Sequence, residues 1–202
     1  MSRRRVIIGP VLAVAMAGAA LLVGTLRYGF SAQDEPTAIE HFLARKLRRY
    51  AVPTDLRQRR NPVPLTPEVL AEARAHFADH CAICHANDGK GDTVIGKNLY
   101  PKAPDMTLAE TQSQSDGELF ATIENGVRLT GMPGWGNGTA ESAYGSWTLV
   151  HFIRHLPKLT AEDVAEMKEL NPKSRDEWED EEAAKRFLAG EEPRPPAAGH
   201  KH

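Results

Sequence analysis

Apolar and polar positions along the chain fall into blocks of different period. Val6 to Leu26 is a run of 21 residues without a charge. As a helix it would span roughly 30 Å, the thickness of a bilayer's hydrocarbon core. Pro36 to Tyr50 places Ile39, Phe42, Leu43 and Leu47 on one side of a predicted helix, with Arg45, Lys46, Arg48 and Arg49 over the rest. Such a helix is either a solvated spacer or one that lies on anionic headgroups or an acidic partner. Val52 to Pro64, with three prolines and three arginines, predicts a linker. Thr66-Pro67 predicts a capped helix start, with Val69, Leu70, Ala73 and Phe77 on one face, running into Cys81. Ala86 to Leu108 shows no sustained period and predicts a loop.

Ser115-Asp116-Gly117-Glu118 is a capping box that opens a helix with Leu119, Phe120 and Ile123, stopped near Gly126. A second loop follows, containing Gly131, Pro133, Gly134, Gly136 and Gly138. Ser146 is the expected cap of a helix from Trp147 to Leu156, ended by Pro157. Thr160 starts a short helix expected to turn Val164, Met167 and Leu170 inward, and Asp176 to Leu188 reads as a charged helix. From Gly190, the prolines and charges predict a disordered tail.

The elements are therefore all helical. The arginines Arg3, Arg4 and Arg5 ahead of the apolar run orient its N-terminus inward and put the rest of the chain outside the cytoplasm. A cleaved signal peptide, cut near Ala17-Gly18-Ala19, is the competing reading, and would leave a greasy new terminus. Charge sharpens the division. Residues 28–60 carry a net +3, residues 61–160 a net −4 and residues 161–202 a net −5, which with Arg3, Arg4, Arg5 and Arg27 gives −2 overall. A nucleic-acid binder would show a basic excess, and this chain does not. Two cysteines exclude a multi-disulfide scaffold. Aromatic residues make up only 6% of the chain, so a domain of about 100 residues needs help in building its core, and a large cofactor would supply it.

Cys81-Ala82-Ile83-Cys84-His85 is the attachment pattern for c-type haem. Two thiols three residues apart at the end of a helix can each add to a vinyl group, and the next residue, His85, then sits under the iron. A redox CxxC needs no following histidine, and zinc would need further ligands at matched spacing. Met132, in Gly131-Met132-Pro133-Gly134-Trp135, is the expected second axial ligand, since its loop lets a thioether approach closely. Its rival is Met106, only 21 residues past His85 against 47 for Met132. The i,i+4 pairs His76/His80 and His151/His155 could bind a metal, but read better as surface residues; His151 or His155 could also serve a bis-histidine haem. His200-Lys201-His202 either holds copper loosely or merely ends a tail.

In order of elements, Thr66 to Pro157 resembles the class I cytochromes c, and the whole chain resembles membrane-anchored bacterial members of that type, including Leu156-Pro157-Lys158-Leu159-Thr160 and Asn171-Pro172. The resemblance implies a small helical domain wrapped around covalent haem. In it Ala73 and Phe77 pack against a last helix bearing Trp147, Leu149, Phe152 and Ile153. It also implies a proline carbonyl, of Pro101 or Pro104, accepting a hydrogen bond from the ligating His85. Tyr100, Trp135 and Trp147 are candidates for bonding a propionate. Ala86 departs from the family's pattern, where many relatives have glycine.

The implied organisation is a cytoplasmic segment 1–5, an anchor or signal sequence 6–26, a juxtamembrane basic helix and linker 27–65, a haem domain 66–157, a helical extension 158–189 and a disordered tail 190–202. The implied function is electron transfer by one covalent haem c, its iron held by His85 and Met132 and its porphyrin by Cys81 and Cys84. The expected partners are membrane redox complexes at the periplasmic, outer face of the bacterial cytoplasmic membrane, with no nucleic acid involved. No catalytic residue is expected. The alternative is a small haem enzyme or a haem subunit of a membrane oxidase or reductase; a haem-based sensor would need a signalling segment that the sequence does not show.

Overall fold

A computed structural model describes residues 3–29 and 31–190, the side chains of 3–8 and 25–28 excepted. The tail expected beyond Gly190, with His200-Lys201-His202, lies outside the described residues. Every regular element among the described residues is helical. In chain order they are α1 (Arg3–Tyr28), α2 (Ala38–Ala51), α3 (Thr54–Arg57), α4 (Pro67–His76), α5 (Ala82–His85), α6 (Val94–Lys97), α7 (Ala109–Gln112), α8 (Asp116–Asn125), α9 (Ala140–His155), α10 (Ala161–Lys168) and α11 (Arg175–Leu188). Among the described residues no helix is long and apolar enough to cross a membrane.

Several starts follow local chemistry. Thr37 and Ser115 each accept from the N–H of the residue three on, Glu40 and Glu118, whose carboxylates reach back to the cap's own N–H. Thr66 caps α4 with Pro67 in the first turn, where a missing N–H costs nothing. Helix α9 begins seven residues earlier than its apolar run suggested. Thr139 is the true cap, accepting from the Ser142 N–H at 3.2 Å. Ser146 is a buried mid-helix residue whose hydroxyl donates to Glu124 at 2.5 Å. The first two turns, Ala140 to Ser146, carry Tyr144 as their one large apolar side chain, so no hydrophobic period announces them. On α10 only Met167 is fully buried; Leu170 is exposed, because the helix stops at Lys168 and the face does not continue.

The core is the crossing of α4 and α9. Ala73 and Phe77 supply one side, and Phe152, Leu149, Val150 and Ile153 the other. The Phe77 and Phe152 rings meet with centroids 4.9 Å apart and planes tilted by 49°, and Ala73 is small enough to let the backbones approach. Phe120 of α8 stacks on Trp147 at 4.1 Å. Burying side chains of this size stabilises by roughly 1.5–3 kcal/mol each.

The segment predicted as a linker is instead strapped onto this core. Its middle forms α3, which packs on α8, and the Ser115 hydroxyl donates to the Arg57 carbonyl at 2.6 Å. Gly117 makes the contact possible, since a Cβ there would lie 1.8 Å from the Leu56 carbonyl oxygen. Further on, the Asn61 amide donates to the Trp147 carbonyl at 2.8 Å. Composition marked the segment as non-helical and prolines as abundant, but tertiary hydrogen bonds decide whether such a segment hangs free.

Candidate haem site

Between α4 and α5 the chain makes one turn of π-helix, Phe77–Cys81, with the Ala82 N–H donating to the Phe77 carbonyl. Such wide turns are uncommon and concentrate at functional positions. The extra residue advances the helix by about 100°. Phe77 and Ala78 both stay buried, while Cys81 faces a cleft. Helix α5 then carries Cys84 and His85 and ends at Ala86, whose φ of 58° and ψ of 161° belong to a region suited to glycine. The departure from the family's glycine thus falls where the backbone demands one. After it the chain is laced to the motif: the Gly91 N–H donates to the His85 carbonyl at 2.8 Å and the Thr93 hydroxyl to the Cys84 carbonyl at 3.2 Å.

The cleft is lined almost wholly by apolar surface. On it converge Cys81, His85, Met106 and Met132, with apolar walls that include Phe77 and Leu149. Met132 arrives from the far side of the sequence because α8 ends at Gly126, with φ 66°, where a Cβ would sit 2.5 Å from the Gly134 nitrogen. The loop folds back on α8 through Val127 N–H to the Met132 carbonyl (3.0 Å) and Trp135 N–H to the Ile123 carbonyl (3.0 Å). Met106 is held by its backbone: its N–H donates to the Gly89 carbonyl and its carbonyl accepts from Gln112 Nε2 at 2.7 Å. Gln112, which also donates to the Ile153 carbonyl, has no counterpart in the sequence reading; nothing in its spacing announces a contact 41 residues away.

Burial pushes the Cys81 thiol up to about 12, with Cys84 adding to the effect, and burial raises Cys84 as well. That is the reverse of a redox CxxC, whose attacking cysteine is held as an accessible thiolate. Burial also pushes the His85 pKa down, keeping the imidazole neutral with a lone pair for a metal. Its Nδ1 is buried and has no hydrogen-bond partner, so neither Pro101 nor Pro104 takes the bond that the resemblance implied.

A family model described as cytochrome c oxidase, cbb3-type, subunit III matches residues 68–153. Those residues are a c-type cytochrome domain. Such a domain carries covalently bound haem c with its iron, and the residues present fit that group: the Cys81 thiol on the cleft with Cys84 following in α5, a neutral imidazole with an unmet nitrogen, two thioethers and an otherwise apolar wall.

The remaining candidates of the cytochrome domain separate by position. Of the three aromatic residues, Trp135 lines the cleft; Trp147 is stacked in the core and Tyr100 neighbours Glu40 of α2. His76 and His80 meet edge to face at 5.0 Å, with His80 against Trp135 at 5.5 Å, and no cluster among the described residues could hold a further metal ion. His151 faces away from the cleft: its Nε2 donates to the Val63 carbonyl at 2.7 Å.

Proposed function

We propose that this chain is a membrane-anchored electron carrier whose haem is attached through Cys81 and Cys84 and whose iron is held by His85 and Met132. The observation that carries the reading is the shared cleft, which brings Met132 onto the same space as Cys81 and His85 across 47 residues of sequence. When bound, the haem supplies the one-electron Fe(III)/Fe(II) couple. Cys81 and Cys84 fix its position and His85 gives a nitrogen ligand. Met132 offers a soft thioether, which favours the ferrous state and raises the potential. Met106 is the poorer ligand in this reading, because its side chain is buried in the core, whereas Met132 is only partly buried. Phe77, Leu149 and Ile153 exclude water. Among the described residues that line the cleft, the titratable ones are Cys81 and His85, and in this reading both hold the cofactor.

The anchor reading is supported by the 21 uncharged residues of Val6–Leu26 and by the exposure of apolar side chains along α1, Val14 and Leu21 among them. It directs the haem domain to the outer face of the cytoplasmic membrane, where oxidase or reductase complexes are the partners. Redox titration of the purified full chain tests the carrier role: a single one-electron wave with a low-spin spectrum in both states is expected, and a high-spin oxidised form would count against it. Protease treatment of spheroplasts, with alkaline extraction of the membranes, tests the location.

A further inference from the structure

Helix α2 is built inside out. Its polar face turns toward the body of its own chain. His41 Nε2 lies 3.1 Å and Arg45 Nε 3.5 Å from the Glu110 carboxylate, and Arg49 Nε lies 3.1 Å from that of Glu118. These acids belong to α7 and α8 of the cytochrome domain. At about 100° per residue, His41, Arg45 and Arg49 share one side. The opposite side carries Ile39, Leu43, Leu47 and Tyr50, exposed by 71, 50, 67 and 87%, with Phe42, exposed by 58%, at its border beside Arg49. No residue of α2 is buried. An amphipathic helix in a globular protein ordinarily does the reverse, with its apolar stripe on the core.

We propose that this outward face of α2 is a lipid-docking surface that lies in the interfacial layer of the bilayer. Two features select lipid. Helix α2 begins only 12 residues beyond Leu26, a reach of at most about 43 Å, so a chain tethered by the anchor proposed above keeps it at the membrane. The cations bordering the stripe also suit anionic headgroups: Lys46 lies with its ammonium 5.7 Å from the Phe42 ring centroid, and exposed Arg59 and Arg60 follow on the strap. Arg45 and Arg49 are occupied by Glu110 and Glu118, so apolar insertion, and not a basic patch, supplies the main attraction. Because the strap pins α3 to α8 and Asn61 to α9, docking α2 also sets the tilt of the haem cleft against the membrane plane.

The proposal rests on the anchor only for the tether, and one experiment separates the two. Nitroxide labels are placed singly at Leu43→Cys, Leu47→Cys, Val14→Cys and Glu162→Cys in the full haem-loaded chain, whose own cysteines are taken by the cofactor. The protein is reconstituted in vesicles of phosphatidylcholine and phosphatidylglycerol, and power saturation compares oxygen with a polar nickel reagent. The expected result is oxygen-dominated relaxation at 43 and 47, shallower than at 14, with nickel dominating at 162. Nickel dominance at 43 and 47 overturns the proposal whatever position 14 reports, as does dipolar broadening there, which would mean that a second copy covers the face. Nickel dominance at 14 alone overturns the anchor and leaves the docking surface standing. Phe42→Ser with Leu47→Ser should shift the label at 43 to nickel dominance without loss of covalent haem; an unmoved label would overturn the proposal.

Discussion

His151 Nε2 donates to the carbonyl of Val63 at 2.7 Å across 88 residues of sequence. A carbonyl only accepts, so Nε2 carries the ring proton, and the imidazole holds a segment in place where the sequence had offered it as a metal ligand. With Asn61 on the Trp147 carbonyl, it makes residues 53–64 part of the haem domain's surface. His151→Ala and Asn61→Ala are each expected to cost about 1–2 kcal/mol, a lost hydrogen bond that leaves its partner exposed to incomplete solvation. Thermal unfolding of the haem-loaded protein measures the cost. Limited proteolysis should show faster cutting within 53–64 and an unchanged haem stain.

Ala86 holds a backbone conformation that glycine adopts without a Cβ penalty. Ala86→Gly is expected to stabilise the protein by about 1 kcal/mol, less than the 1–3 kcal/mol such strain costs because glycine loses more chain entropy. Denaturant unfolding followed by circular dichroism checks the sign.

Met132→Ala and Met106→Ala should separate cleanly. The first is expected to abolish the methionine–iron charge-transfer band and to lower the midpoint potential substantially, with covalent haem retained. The second should keep the band and lose about 2–5 kcal/mol of stability, as a large buried side chain does on truncation. If Met106→Ala alone removes the band, the ligand assignment is reversed.

Cys81→Ala with Cys84→Ala should leave no haem on a denaturing gel. The thermal transition should broaden or vanish, since the cofactor fills the cleft that Phe77 and Leu149 line. A haem band in the double variant would refute attachment at these residues.

Asp163 caps α10 through the Thr160 N–H and hydroxyl, both at 2.9 Å. The Thr160 backbone and hydroxyl hold its carboxyl below its ordinary value of 3.8. A lowered folded-state pKa means the cap's contribution is present above 3.8 and lost as pH falls through the folded value. Asp163→Asn should therefore lower the melting temperature at neutral pH, with the difference from wild type closing under acid. A pH-independent difference would show that the charge is not the source.

Sequence alone determined the chemistry whose information is local. The CxxCH spacing named the cofactor because both thiols and the imidazole lie within five residues. The caps at Thr66, Ser115 and Thr160 were legible because each cap bonds an N–H three residues away. Ala73 and Phe77 could be placed on the core through their helical spacing. Helix α9's true start was not legible, since Tyr144 alone among its first seven residues is large and apolar, and one residue makes no period. The preference for Met132 over Met106 was legible in its Gly-Met-Pro loop and its 47-residue spacing; that both thioethers reach one cleft, Met106 from within the core, was a matter for the tertiary structure. Tertiary structure also decided which way α2 faces. Its amphipathic pattern is the same whether the apolar or the basic side meets the body, and the answer lay in Glu110 and Glu118, about 70 residues downstream, whose carboxylates draw the arginines inward and leave Ile39, Leu43 and Leu47 outside.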